Sequence, residues 1–156
     1  MSHNRFIQSF TQVPKELFRL NNGPAVHLRA HPGPLRPAGL FDLLTTEGKV
    51  RPLALDPATY EFPNGASMRS NSISQQRLVR RLKGSSALIY TLHAGTELPD
   101  DLILVHEFAD HYSLQARRSM TVEELNSKIT QFLTAKGERL SKEQWQQRYP
   151  TATESR

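Results

Sequence analysis

Between residues 106 and 114 the chain reads HEFADHYSL, which crowds two histidines, a glutamate, an aspartate and a tyrosine behind the apolar run LILV. Such a cluster could hold a metal, work as acid and base, or simply solvate the end of a strand. A zinc helix of the His-Glu-x-x-His type needs histidines four apart, because that spacing shares one helix face. Here His111 follows His106 by five, and position 110 is Asp. On a helix the two imidazoles would diverge by about 140°, and on a strand an odd spacing sends them to opposite faces. Neither arrangement converges on one ion, so no metal is expected. Glu107 and His111 are left as candidates for proton transfer or charge stabilisation, with polar turn residues as the ordinary alternative.

Other positions carry weaker chemical signals. Arg19 stands between Phe18 and Leu20. It either snorkels to solvent at a sheet edge or holds an anion inside a cleft. The stretch NGASMRSNS (64–72) combines a turn-forming Asn-Gly with hydroxyls and Arg69 ahead of a helix. A helix N-terminus suits an anion, but Ser and Asn are also the usual caps. In RLVRRLK (77–83), four cations cover one helix. No aromatic residue interleaves with them to stack bases, so a solvated face accounts for them and nucleic acid is not the expected partner.

Local patterns define the elements that would position these groups. ELFRLN (16–21) reads as a short strand, VHLR as another inside the proline-rich 23–39, and LFDLLTTEGKVRPL (40–53) as a hairpin turning at Glu47–Gly48. A helix over 74–83 stops at Gly84, with serines 70, 72 and 74 as N-cap candidates. SALIYTL, LILVHEF and HYSLQA follow as strands. Thr121 with Glu124 forms a capping box, Met120 with Leu125 a hydrophobic staple, and SKEQ (141–144) a second box before Trp145. Early strands, one helix, more strands and terminal helices make an α+β fold.

Composition bounds the rest. A chain of 156 residues suits one compact domain, expected over 15–150 between a polar lead-in (1–14, pinned by Phe6, Ile7 and Phe10) and a polar tail (151–156). A 37% hydrophobic content with ten prolines and eight glycines implies many connections. No run of about 18 apolar residues is available to span a membrane, and MSHNRFIQSF lacks the features of a signal peptide. With no cysteine, disulfides and thiol nucleophiles are excluded. A cytoplasmic location is expected. Net charge of +5 with a pI near 9.8 favours acidic or phosphate-bearing partners.

The pieces occur in a telling order. An arginine in the first short strand, Gly-Ala-Ser near the middle, then GTELPDDL and HYSLQARRSMTVEELNSKITQFL together resemble the type VI secretion effector toxins with an NAD-dependent ADP-ribosyltransferase-like fold, and their fungal homologues. The likeness is strongest over 95–133, fair at LFR (17–19) and GAS (65–67), and weakest over 23–60. It implies a split, mostly antiparallel β-sheet core with flanking helices and a cleft for NAD, the substrate whose nicotinamide–ribose bond is cleaved so that ADP-ribose passes to an unknown acceptor.

Residue by residue, the resemblance assigns Arg19 to the first-strand arginine that grips ribose and pyrophosphate, Ser67 to the serine that supports the dinucleotide, and His111 to the histidine preceding the tyrosine. Bond cleavage develops positive charge on ribose, which a nearby carboxylate would stabilise; Glu107 is the nearest candidate for that or for activating the acceptor. His111 would orient a ribose hydroxyl. Arg69 is a second candidate for the phosphates, and Tyr112 could pack on nicotinamide, although an aromatic there is as readily core. Toxins of this kind commonly need a neutralising immunity-type partner. Two other functions stay open: a non-catalytic nucleotide-binding domain on the same fold, and a basic nucleic-acid-binding module using the helix at 74–83.

Overall fold

A computed structural model describes residues 6–32 and 41–154. Residues 1–5 of the lead-in, 33–39 of the proline-rich stretch and 155–156 of the tail lie outside the described residues. The chain forms strands β1 (Gln8–Phe10), β2 (Leu17–Asn22), β3 (Ala30–His31), β4 (Leu43–Thr46), β5 (Lys49–Val50) and β6 (Gly65–Arg69), then helix α1 (Ile73–Arg81). Strands β7 (Ala87–Leu92), β8 (Leu102–Phe108), β9 (His111–Ala116) and β10 (Met120–Thr121) lead to α2 (Val122–Lys136), β11 (Glu138–Leu140) and α3 (Lys142–Arg148). Two 3-10 turns, Leu53–Leu55 and Pro57–Thr59, lie between β5 and β6. Among the described residues no helix is long and apolar enough to cross a membrane.

Seven strands make the main sheet in the order β1-β8-β9-β6-β2-β7-β11, and β10-β5-β4-β3 make a smaller one. Pairing is antiparallel throughout the main sheet. One main-sheet face carries Leu17, Tyr90, Leu104 and Leu114 against Leu125, Ile129, Phe132 and Leu133 of α2. The other face has apolar clusters only at its two ends. Phe18 and Ile89 pack with Val79 of α1 and Trp145 of α3, while Ile103 and Val105 are covered by Ala54 and Tyr60 from the 3-10 segment. Between these ends run β9 and β6, whose side chains on that face are polar: His111 and Ser113 opposite Arg69 and Ser67, and Gln115 opposite Gly65, which has none.

The helix signals act as expected. Thr121 accepts from the Glu124 backbone N–H and the Glu124 carboxylate accepts from Thr121 N–H; Ser141 and Gln144 repeat this box. Met120 and Leu125 share the core beneath α2. Of the three serines ahead of α1, Ser72 is the N-cap. The β4–β5 hairpin turns at Glu47 and Gly48, both with positive φ (53° and 78°).

Elsewhere tertiary contacts override the local pattern. Residues 26–29 are not a strand: the Val26 and Leu28 N–H groups donate to Thr130 Oγ1 (2.9 Å) and Asn126 Oδ1 (2.8 Å) on α2. The extended pairing falls immediately after them, at Ala30–His31, parallel to β4. Segment 65–69, the stretch with helix-entry chemistry, is a central strand. At the N-terminal end, Gln8–Phe10 pairs with β8 as an edge strand; Phe6 packs edge-on against Tyr60, whereas Ile7 is 57% exposed. Near the other end, the Thr153 and Glu154 N–H groups donate to Asn71 O, and Ser70 donates to the Glu154 carboxylate.

Gly65 lies where β6 meets β9 most closely. A Cβ there would collide with the Leu114 carbonyl and stand 2.7 Å from Ser113 Oγ. Gly65→Ala is therefore expected to lower stability by about 2 kcal/mol through forced strand separation, measured as a shift of the urea midpoint.

Candidate active site

The HEFADHYSL segment is a strand, a tight turn and a second strand. Phe108 pairs with His111 across Ala109 and Asp110, with Ala109 at a φ of 44°. The ladder slips between His106 and Phe108, a bulge whose extra residue is Glu107. A bulge re-aims side chains, and here it directs Glu107 at His111. His111 Nδ1 lies 2.9 Å from Glu107 Oε1. The contact is off the line of an ideal hydrogen bond, and Nδ1 has no other polar partner. On the other side of the ring, His111 Nε2 is 3.1 Å from Ser67 Oγ. Phe108 stacks on the imidazole at 4.9 Å and holds its plane. His106 faces away: its ring stacks on Tyr112 at 4.3 Å and its Nε2 meets Ala109 O.

Glu107 is only 3% exposed, so its charge must be met by protein. Its second oxygen accepts from the Tyr60 hydroxyl in a very short contact. Gln115 Nε2 donates to the same phenol oxygen at 2.6 Å. Burial first, and then the Glu107 carboxylate, push the Tyr60 phenol far above the ordinary tyrosine range. Tyr60 therefore stays protonated and donates. The carboxylate sits behind the imidazole, not in open space beside Ser67.

Arg19 enters from the other face. In β2 it alternates with Phe18, which is in register with Arg69 of β6. An unbroken sheet would thus separate Arg19 from Ser67. But β2 and β6 share only that one pair, and beyond it the strands part. Through the gap, Arg19 Nη1 donates to Ser67 O at 3.1 Å. Arg19 is on a central strand, so the edge reading is set aside. It lines a cleft of about 360 Å³ with Asn21, His27, Arg29 and Asp42. Arg29 grips Asp42 through Nε and Nη2 (3.1 and 3.2 Å). Arg19 Nε is cut off from solvent with no partner. Burial pulls its pKa down to about 10, partly offset by Asp42.

The structure thus joins Arg19, Ser67, His111 and Glu107 in one chain of contacts. Arg69 projects from the same face as Ser67 but turns to Asp110, 3.7 Å away. Asp110 also accepts from Ser72, the cap of α1, in a very short contact. The entry to that helix already faces a carboxylate and is no open anion site. Tyr112 is not brought to the cluster; it is buried on the opposite face between His106 and Phe10. Tyr60, Gln115, Asp42 and Arg29 escape sequence reading. Asp42 and Arg29 sit in the irregular 23–60 region, and a buried Gln in an apolar strand was the available signal for Gln115.

A mostly antiparallel, split β-sheet core flanked by helices α1, α2 and α3 is the architecture of an α+β, ADP-ribosyltransferase-like fold. Residues 15–145 match the Tse2 ADP-ribosyltransferase toxin family, and the chain belongs to that family. No curated protein matches it.

Because burial lowers the folded-state pKa of Arg19 below that of the unfolded chain, its charge opposes folding at every pH below about 10. Arg19→Met should leave the thermal midpoint unchanged or raised. Pyrophosphate, expected to stabilise the parent protein by pairing with the desolvated guanidinium, should no longer do so in the variant; differential scanning fluorimetry reads both.

Proposed function

We propose that this chain is an NAD-dependent ADP-ribosyltransferase toxin, and that the contact chain Arg19–Ser67–His111 is where NAD binds and reacts. The observation that carries this reading is the buried, unpartnered Arg19 Nε at the split between β2 and β6. A buried donor without a partner costs free energy unless a ligand completes it, and a guanidinium fork suits phosphate oxygens.

NAD supplies a nicotinamide–ribose bond whose cleavage leaves positive charge on the ribose. Arg19 fixes the dinucleotide through its phosphates and presents the Ser67 carbonyl at a set distance. Ser67 Oγ and His111 Nε2 form a hydroxyl–imidazole pair that hydrogen-bonds ribose or takes the proton of an incoming acceptor hydroxyl. Glu107 acts through His111 by holding its Nδ1 side. Arg69 stands next along β6 and contributes positive charge beside the pair. Delivery by type VI secretion, an ADP-ribose acceptor in the target cell and a neutralising immunity-type protein belong to the same reading, and family membership supports them.

One feature favours a second reading, a nucleotide-binding domain without turnover: the two Glu107 oxygens face Tyr60 and His111, and among the described residues no carboxylate contacts Ser67. Incubation with NAD separates the two. The first expects free nicotinamide, with Ser67→Ala and His111→Ala each reducing its rate at least about a hundredfold and relieving growth inhibition on expression. Stabilisation by NAD with no nicotinamide released would establish the second.

A further inference from the structure

We propose that Tyr60 and Gln115 are positioning residues that fix the tautomer of His111, through Glu107, so that its Nε2 lone pair is always presented to Ser67. This deepens the proposed function and rests on it for the catalytic consequence, though not for the tautomer itself.

The donor and acceptor inventory fixes the proton direction at each link. The Gln115 amide nitrogen can only donate, and it donates to both Tyr60 OH (2.6 Å) and Ser113 Oγ (3.0 Å). The phenol oxygen, occupied on that side, must point its own proton at Glu107. The Glu107 oxygen that meets Tyr60 is thereby committed as an acceptor. The other Glu107 oxygen faces His111 Nδ1 at 2.9 Å, off the ideal hydrogen-bond line; a proton on Nδ1 makes that contact attractive, whereas a bare Nδ1 would set two lone pairs against each other. With Nδ1 carrying the proton, a neutral imidazole has its lone pair on Nε2, which accepts from Ser67 at 3.1 Å.

Placement supports a dedicated purpose. Gln115 is completely buried and Tyr60 is 1% exposed. Gln115, Ser113 and His111 project from alternate positions of one strand, so β9 carries both ends of the relay. Tyr60 arrives from the segment covering that face, its ring wedged against Phe6 at 5.3 Å. An apolar residue at either position would fill the same space without the cost of burying a polar group. In other enzymes an acid behind a histidine serves the same end, and a wrong tautomer there abolishes most activity.

The experiment uses the full chain with nitrogen-15-labelled histidine, and reads the His111 ring nitrogens at a pH where the ring is neutral. The parent protein should show the Nδ1–H form alone, and Tyr60→Phe a mixture of both tautomers. Nicotinamide release by Tyr60→Phe should fall by roughly tenfold or more in kcat, with KM for NAD unchanged. If Tyr60→Phe does not fold, Gln115→Leu should give the same mixed spectrum. An Nε2–H or mixed signal in the parent protein, or an unmixed parent-like spectrum in a folded variant, would overturn the proposal. Absence of nicotinamide release from the parent protein would count against the proposed function, while the spectra would still decide this inference.

Discussion

A carboxylate sealed from water has to be answered by protein groups, and the burial of Glu107 organises everything around it. The bulge in β8 exists at the residue that must reach His111. The hairpin brings His111 back alongside, and the 3-10 segment drops Tyr60 over the second oxygen. Losing any of these would leave the buried Glu107 carboxylate short of a partner. That requirement ties a segment of weak local preference, residues 51–63, to the central strands more firmly than its composition would.

A second constraint is the parting of β2 from β6. Continuous sheet would satisfy every backbone group and would also isolate the two faces from each other. Pairing confined to Phe18 and Arg69 leaves an opening that a long arginine can cross. The two faces then meet at one carbonyl, that of Ser67. The opening also explains why a permanently charged group persists in a place where solvent cannot reach its Nε: the fold accepts an unfavourable charge at the point where a dinucleotide would bring its own.

Much of this was readable from residue order. The capping boxes at Thr121 and Ser141, the apolar stripe of α2, the strands at 87–92, 102–108 and 111–116 and the turn at Glu47–Gly48 all depend on neighbours within a few positions, and such signals survive in a linear reading. Glu107 and His111 stand out by their place in HEFADHYSL and Arg19 by its apolar neighbours, while family likeness adds roles for Arg19, Ser67 and His111. What escaped depends on partners far along the chain. Val26 and Leu28 bond side chains about a hundred positions away, so a strand-like sequence forms no strand. Tyr60 and Gln115 matter only because the Tyr60 hydroxyl joins Gln115 to Glu107 in space. Tyr112 has the same neighbours in sequence as a site residue, but strand alternation sends it to the opposite face.

The contacts of residues 151–154 have a bearing on how the molecule is made. Asn71 and Ser70, which link the Ser67 strand to α1, are fastened by Thr153 and Glu154, and Glu154 also reaches Lys15. A nascent chain on the ribosome exposes Ser67 and His111 long before that fastening emerges from the exit tunnel. The anchor on the Ser67 strand therefore closes only once residues 151–154 have emerged, and a cell translating this polypeptide carries it unfastened until then.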